Sequence, residues 1–313
     1  MATIVLVHGI DQQQTPADVL ESQWLPALAG GVRLADFPAL ADRLWRDSSG
    51  PRAIETRMAY YGQLFLRPDV QGDDSAQLAA DAQAFAEKIA EEWLSRAAAQ
   101  ASRPKERQTA RRELAYVRQQ IGNEEQVIGT VLRSAINGVA RLRWFMPYGV
   151  AFAERFVNRA LAQVTRYFAD EAVRDAALRA VKDLIDPDTK IVIGHSLGSV
   201  VAYEAVHQIE HPLPLLITIG SPLGLDTIIY PKLRPQPPSF PTLVQRWVNV
   251  ADSDDFIAAI PDLRPMFSTG IPTTAVFESG YTVDNGAKPH DATFYLAKVE
   301  VGKPVGEILT AGG

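Results

Sequence analysis

The chain of 313 residues contains no cysteine. That absence excludes disulfides, a thiol nucleophile and cysteine-ligated metal sites, and it suits a reducing compartment. No uncharged apolar run reaches the length needed to cross a bilayer. The N-terminus lacks the basic segment and long apolar stretch of a secretion signal, and its apolar residues 4–7 read as a strand. The expected location is therefore cytoplasmic. Excess charge of one sign is also missing. Lys and Arg total 31 against 37 Asp and Glu, and a net charge of -6 gives no basis for binding nucleic acid. Neither a P-loop nor a dinucleotide fingerprint occurs, so no cofactor is expected. Histidine is sparse, with only five: His8, His195, His207, His211 and His290. His207 and His211 are four apart but have no third ligand beside them, so no metal site is expected. No internal repeat is present. Apolar residues make up 47% of the chain, enough for a soluble globular protein with a large buried core.

What is present centres on residues 191–205. Ile191-Val192-Ile193 is a short β-branched run, the mark of a buried strand. It leads through Gly194-His195-Ser196-Leu197-Gly198 into Val200, Val201, Ala202, Tyr203, Glu204 and Ala205, a helix former. A strand, a Gly-x-Ser-x-Gly turn and a helix make a nucleophile elbow. Ser196 sits where side chains crowd, and the flanking glycines leave room for neighbouring backbone. The helix aims its first amides at the same spot, where negative charge is favoured. The plainer alternative is a structural turn whose serine only caps the helix.

The segment 193–203 resembles the nucleophile elbow of the α/β-hydrolase superfamily. The opening Ile4-Val5-Leu6-Val7-His8-Gly9-Ile10 is similar to that superfamily's first core strand and His-Gly oxyanion loop. Ile217-Thr218-Ile219-Gly220-Ser221-Pro222-Leu223-Gly224 resembles the strand after the elbow in lipase-like members. Asp255-Phe256-Ile257-Ala258-Ala259-Ile260-Pro261 resembles the lipase acid loop. The resemblance covers both ends of the chain and leaves out about residues 72–184. It implies a single α/β-hydrolase domain over 1–313: a mostly parallel sheet flanked by helices, without the two leading strands of larger members.

Between the ends the texture changes. Residues 75–185 are rich in Ala, Arg and Glu with apolar residues at helical spacing. Helices are expected over about 75–100, 104–121, 124–143, 147–168 and 170–185, forming a helical cap inserted before the elbow strand. Ile128, Val131, Leu132, Ala135, Ile136, Val139 and Leu142 share one face, followed by Trp144-Phe145-Met146. This face suggests an acyl pocket. The stretch 103–166 is basic. It reads either as the solvated side of a bundle or as a lid making weak contact with an anionic membrane surface.

Elsewhere the periodicity predicts a helix over 17–29 and another over 39–45. Strands are predicted over 190–193, 215–219 and 243–250, with a short one over 275–278, and residues 54–66 read as a core strand running into a loop. One helix is expected after the loop holding His290.

A serine nucleophile needs a base and an orienting acid, which in this superfamily follow it in the order Ser, Asp or Glu, His. His8 and His195 precede Ser196, and His207 and His211 leave on its helix. Only His290 follows a candidate acid loop. Asp255 matches the acid loop best, and Asp252 is the other candidate. The amides of Ile10 and Leu197 are the expected oxyanion donors, and His8 is expected to hold its loop by hydrogen bonds. The implied activity is cleavage of carboxylic esters, of lipid or other apolar acyl groups, without cofactor. Acyl transfer or thioester hydrolysis would use the same residues, and a binding protein that has lost turnover would keep the same fold.

Overall fold

The runs of Ile, Val and Leu noted above are long enough for buried strands but too short for helices, and they assemble edge to edge. The structure, a computed structural model, describes residues 2–47, 50, 52–66, 80–101, 103–121, 137–139, 150–258 and 260–311. Its strands are β1 (Ile4–Val7), β2 (Thr56–Ala59), β3 (Ile191–His195), β4 (Leu213–Ile219), β5 (Val244–Asp252) and β6 (Val276–Val283). They form a six-stranded sheet in the order β2-β1-β3-β4-β5-β6, and every neighbouring pair is parallel. The fold class is therefore α/β, with helices on the sheet and a helical insertion between β2 and β3. β1 and β3 are buried at every position, as parallel strands covered on both faces must be.

Helices α1 (Ala17–Leu34) and α2 (Pro38–Leu44) follow β1. Helix α3 (Ala80–Gln100), α4 (Pro104–Ile121), α5 (Val150–Ala169) and α6 (Glu171–Lys182) occupy the insertion. Helix α7 (Leu197–Val206) leaves β3, and α8 (Arg264–Phe267), α9 (Ala292–Leu296) and α10 (Val299–Ala311) close the order. One core cluster joins Leu6, Ile193, Ile217 and Val248 of the sheet to Leu20, Trp24 and Leu28 of α1 and to Val301 and Val305 of α10. Trp247, on β5, instead stacks on Phe277 at 4.4 Å and meets Phe267 edge to face at 5.3 Å. Among the described residues, no helix is long and apolar enough to cross a membrane.

The chain divides into two compact units, Met1–Leu64 with Asp175–Gly313, and Phe65–Arg174. In the second unit α3 packs on α4 and α5. Its buried face is Ala86, Ile89, Ala90, Trp93, Leu94 and Ala97, so the small residues of an Ala-rich helix set the close packing. Several of the basic residues are engaged within this unit. Arg118 Nε lies 2.9 Å from Glu91 Oε1, Arg111 Nε donates to Ala98 O at 3.2 Å, and Arg107 donates to Ala101 O. Apart from the helical stretch at 137–139, the helix expected over 124–143 lies outside the described residues, as does Trp144-Phe145-Met146.

Some element bounds differ from the sequence reading for physical reasons. Within the strand and loop expected over 54–66, the strand is Thr56–Ala59, after which Tyr60 and Tyr61 turn away to hydrogen-bond the loop after β1. The short strand at 275–278 runs on to Val283, through a register irregularity opposite Val248 and Val250. A bulge lets a strand continue past a residue that breaks the ladder. The single helix expected after His290 is two, α9 and α10.

Helix α1 also runs five residues past its expected end at residue 29, through the Gly30-Gly31 pair. Packing compensates for the weak helix propensity there. A Cβ on Gly31 would lie 2.3 Å from Leu296 O, and one on Gly302 would lie 2.1 Å from Gly31 O. A Cβ on Gly30 meets nothing within 4 Å. Substitutions at these adjacent glycines therefore have opposite signs. Gly31→Ala should destabilise the protein by about 1–3 kcal/mol through overpacking. Gly30→Ala should stabilise it by up to about 1 kcal/mol through helix propensity. Urea denaturation of the two variants checks both, and equal effects would contradict the close packing of α1 against the backbone of 296–302.

Candidate active site

The carboxyl ends of β1, β3, β4 and β5, with the connection after β6, carry the residues singled out in the sequence. Ser196 leaves β3 with φ 54° and ψ -130°, a conformation an L-residue adopts at a cost of about 1–3 kcal/mol. Its backbone is fixed on both sides. Ser196 N donates to Ile219 O at 3.1 Å, and Ser196 O accepts from Ser199 N at 2.9 Å and Ser199 Oγ at 2.6 Å. The Ser199 and Ser221 hydroxyls are 2.7 Å apart, and Ser221 Oγ accepts from Leu223 N at 3.3 Å. This hydroxyl chain ties the start of α7 to the turn after β4. The Ser196 side chain makes no capping hydrogen bond to α7, so the strained turn is not explained by helix capping.

A Cβ on Gly198 would lie 2.2 Å from His8 O, so α7 begins in backbone contact with the end of β1. That contact brings the loop after β1 to Ser196. The point where a Gly9 Cβ would sit is 2.7 Å from Ser196 Cβ. Leu197 is the first residue of α7 and Ile10 follows Gly9, and both are buried. The loop is held rigidly. His8 Nδ1 donates to Gly9 O at 2.7 Å, while Tyr61 N donates to His8 Nε2 at 3.1 Å. The imidazole is thus a neutral ring with its proton on Nδ1. Burial lowers its pKa to about 4. Tyr61 stacks on His8 at 4.2 Å and donates its hydroxyl proton to His8 O. Tyr60 donates to Gln12 O and Gln13 O at 3.2 and 3.1 Å.

His290 lies in the loop before α9, whose N-cap Asp291 accepts from Thr293 N at 3.0 Å. Its Nδ1 donates to Asp255 Oδ2 at 2.7 Å, with both side chains buried. Asp255 is oriented in turn by its own loop. Its Oδ1 accepts from Ile257 N at 3.1 Å and Ala258 N at 3.3 Å, and its Oδ2 also accepts from Tyr295 Oη at 2.8 Å. Gly220 allows the pair to approach β4. It has φ +55°, and a Cβ there would lie 3.0 Å from Asp255 Oδ2 and 3.2 Å from His290 Nδ1.

Of the two candidate acids, Asp255 is the one the structure brings to His290. Asp252 is turned elsewhere, accepting from Asp254 N in its own loop at 2.8 Å and from Asn285 N after β6. Burial and the nearby carboxylates raise its pKa to about 6. Two of the remaining histidines lie elsewhere. His207 caps α7, with Nε2 3.3 Å from Ser239 O, and His211 is exposed. Among the described residues, no group of three or more His, Asp or Glu side chains could hold a metal.

Two members of this arrangement have no signal in the sequence. His195, the variable residue of the Gly-x-Ser-x-Gly turn, donates from Nε2 to His290 O at 2.8 Å. Burial holds its pKa well below the usual imidazole range, so it serves as a neutral donor. Tyr295 bridges the acid loop, donating to Asp255 and accepting from Asp252 N at 2.8 Å. Only the fold brings these residues to a partner 40 or more positions away.

Compared with models of known families, with curated proteins and with solved structures, the chain matches none. Its class as an α/β fold with a parallel sheet rests on its own strands.

The buried titratable groups fix a pH dependence. His8 has a folded pKa of about 4 against an ordinary 6.5, so the unfolded chain takes up that proton first. Its contribution is complete above pH 6.5 and is lost as pH falls toward 4, amounting to about 3 kcal/mol. Asp252 acts in the opposite direction. Its raised pKa favours the folded state as pH falls from about 6 to 4. Asp252→Asn should therefore make the urea midpoint fall more steeply on acidification. In a histidine-labelled NMR spectrum, His8 should keep its neutral Nδ1–H form from pH 8 to pH 5. A His8 that titrates near 6.5 would contradict its burial against Tyr61.

Proposed function

We propose that the protein is a serine hydrolase of the α/β-hydrolase kind, cleaving carboxylic esters without a cofactor. The observation that carries this reading is the pairing of a strained, uncapped Ser196 with the His290–Asp255 hydrogen bond at the same edge of the sheet. An L-serine held at φ 54° needs a reason, and presenting a nucleophile is one that fits the strand-turn-helix context.

In this mechanism Ser196 Oγ attacks the ester carbonyl. The proton on Nδ1 of His290 is committed to Asp255, so Nε2 carries the lone pair and takes the serine proton. Asp255 fixes that tautomer and stabilises the imidazolium. The amides of Leu197 and Ile10 hold the oxyanion, aided by the N-terminus of α7. His290 then passes its proton to the leaving alcohol, and water attacks the acyl-enzyme by the reverse path. The close packing of Gly9 on Ser196 supports the choice of Ile10, since it brings the following amide to the same corner. Apolar acyl groups remain the proposed substrate class, on the resemblance of the strand after the elbow and of the acid loop to those of lipases. The lack of cysteine supports a cytoplasmic location.

A fluorophosphonate probe should label Ser196 covalently, and Ser196→Ala should abolish labelling while leaving the fold intact. Turnover of a nitrophenyl ester should fall roughly a millionfold in that variant. His290→Ala should cost nearly as much. Asp255→Asn should cost about ten-thousandfold through the wrong imidazole tautomer. Asp252→Asn should be far milder. Near-normal turnover in Ser196→Ala would sink the mechanism, and a reversed ranking of the two aspartates would move the acid role. Across nitrophenyl esters of rising chain length, each added methylene should contribute up to about 0.8 kcal/mol until the pocket fills. A flat response from acetate to decanoate would remove the apolar acyl class.

A further inference from the structure

The Asp255 carboxylate receives more than the imidazole requires. Two backbone amides take Oδ1, and Oδ2 is shared between His290 Nδ1 at 2.7 Å and Tyr295 Oη at 2.8 Å. The tyrosine is wholly buried, on α9, five residues after the histidine it competes with. Its hydroxyl has one proton. Asp252 N–H donates to Tyr295 Oη at 2.8 Å, which leaves that proton to Asp255. The direction of the bond is therefore fixed, and the buried ring lies close against Gly220, its Cε2 3.1 Å from where a Cβ there would sit.

We propose that Tyr295 is a positioning residue: its hydroxyl fixes the orientation of the Asp255 carboxylate and limits the negative charge that carboxylate offers to His290. The inference rests on the hydrolase reading for its use in catalysis, but its physical content does not. Each donor to a carboxylate stabilises the anion and makes it a poorer acceptor for the next. A carboxylate holding three other donors pulls less on the imidazole proton than one holding two. His290 then loses its proton more readily, and its neutral, base-competent form persists to lower pH. Burial pushes the Tyr295 hydroxyl well above the usual phenol range, so it stays a donor throughout. The other titratable groups packed around the pair are His195 at the end of β3, Asp252 and Asp254 beyond Val250 of β5, and Asp291 beside His290. His195 stays neutral, and Asp252 titrates near 6, so its charge must be removed from the comparison.

The test is an NMR titration of His290 in the full chain, run in an Asp252→Asn background. Tyr295→Phe should raise the His290 midpoint by about half a pH unit or more, about a threefold gain in proton affinity. Placing 3-fluorotyrosine at position 295, a stronger donor of the same shape, should move the midpoint down. If Tyr295→Phe does not fold, the fluorotyrosine protein decides alone. A merely structural tyrosine would change the urea midpoint and leave the His290 titration where it was, and that result would overturn the inference. The measurement needs no turnover. Midpoints that move as expected in a protein that fails to take up the fluorophosphonate would sustain this inference while removing the hydrolase reading. Labelling at Ser196 with unmoved midpoints would do the reverse.

Discussion

The arrangement at the sheet's carboxyl edge depends on one close approach, that of α7 to the end of β1 across Gly198. The carbonyl of His8 occupies the space a Cβ at 198 would fill. No side chain larger than hydrogen allows β3 to turn into α7 at this point while β1 remains paired in register with β3. Because the backbones touch, the loop after β1 lies against Ser196, and the strain at Ser196 is held by bonds from β4 and from within α7. Widening that contact would part Ser196 from the loop after β1.

Around this contact, buried polar groups act as fixed struts. His8 and His195 are both neutral, and each gives its proton to a backbone carbonyl, that of Gly9 and that of His290. A buried imidazolium would need a counter-charge, whereas a neutral ring needs only hydrogen-bond partners. Neither of these two histidines therefore adds a charge beside the Asp255–His290 pair. Deeper in the sheet, Trp247 Nε1 donates to Thr218 Oγ1, which donates to Asn249 Oδ1, and Asn249 Nδ2 reaches Pro261 O at 2.9 Å. This buried series anchors the far end of the acid loop, so Asp255 is carried on a segment tied down at both ends.

The helical unit is built by a different rule. Its buried residues on α3 are mostly alanines around Trp93, and an ion pair such as Arg96 with Glu92 at 2.8 Å lies between half-buried side chains. Such pairs contribute little to stability individually. The packing of small residues along α3 is what draws α4 and α5 close.

The sequence by itself determined the elements and their kind. Strands of Ile, Val and Leu, the Gly-x-Ser-x-Gly turn and the Ala-rich helices are local patterns, and local patterns follow from residue volume, branching and backbone freedom. It also singled out His290, the one histidine that follows the candidate acids in the chain. It left Asp252 and Asp255 open, because three aspartates within four residues differ only in where the loop points them. It overlooked His195 and Tyr295 for the same reason: their partners are 95 and 40 positions away. Which carboxylate faces the imidazole, which hydroxyl shares that carboxylate and which ring holds the His290 carbonyl are questions of distance between strand ends. Those distances exist only once the parallel sheet has brought β3, β4 and β5 side by side.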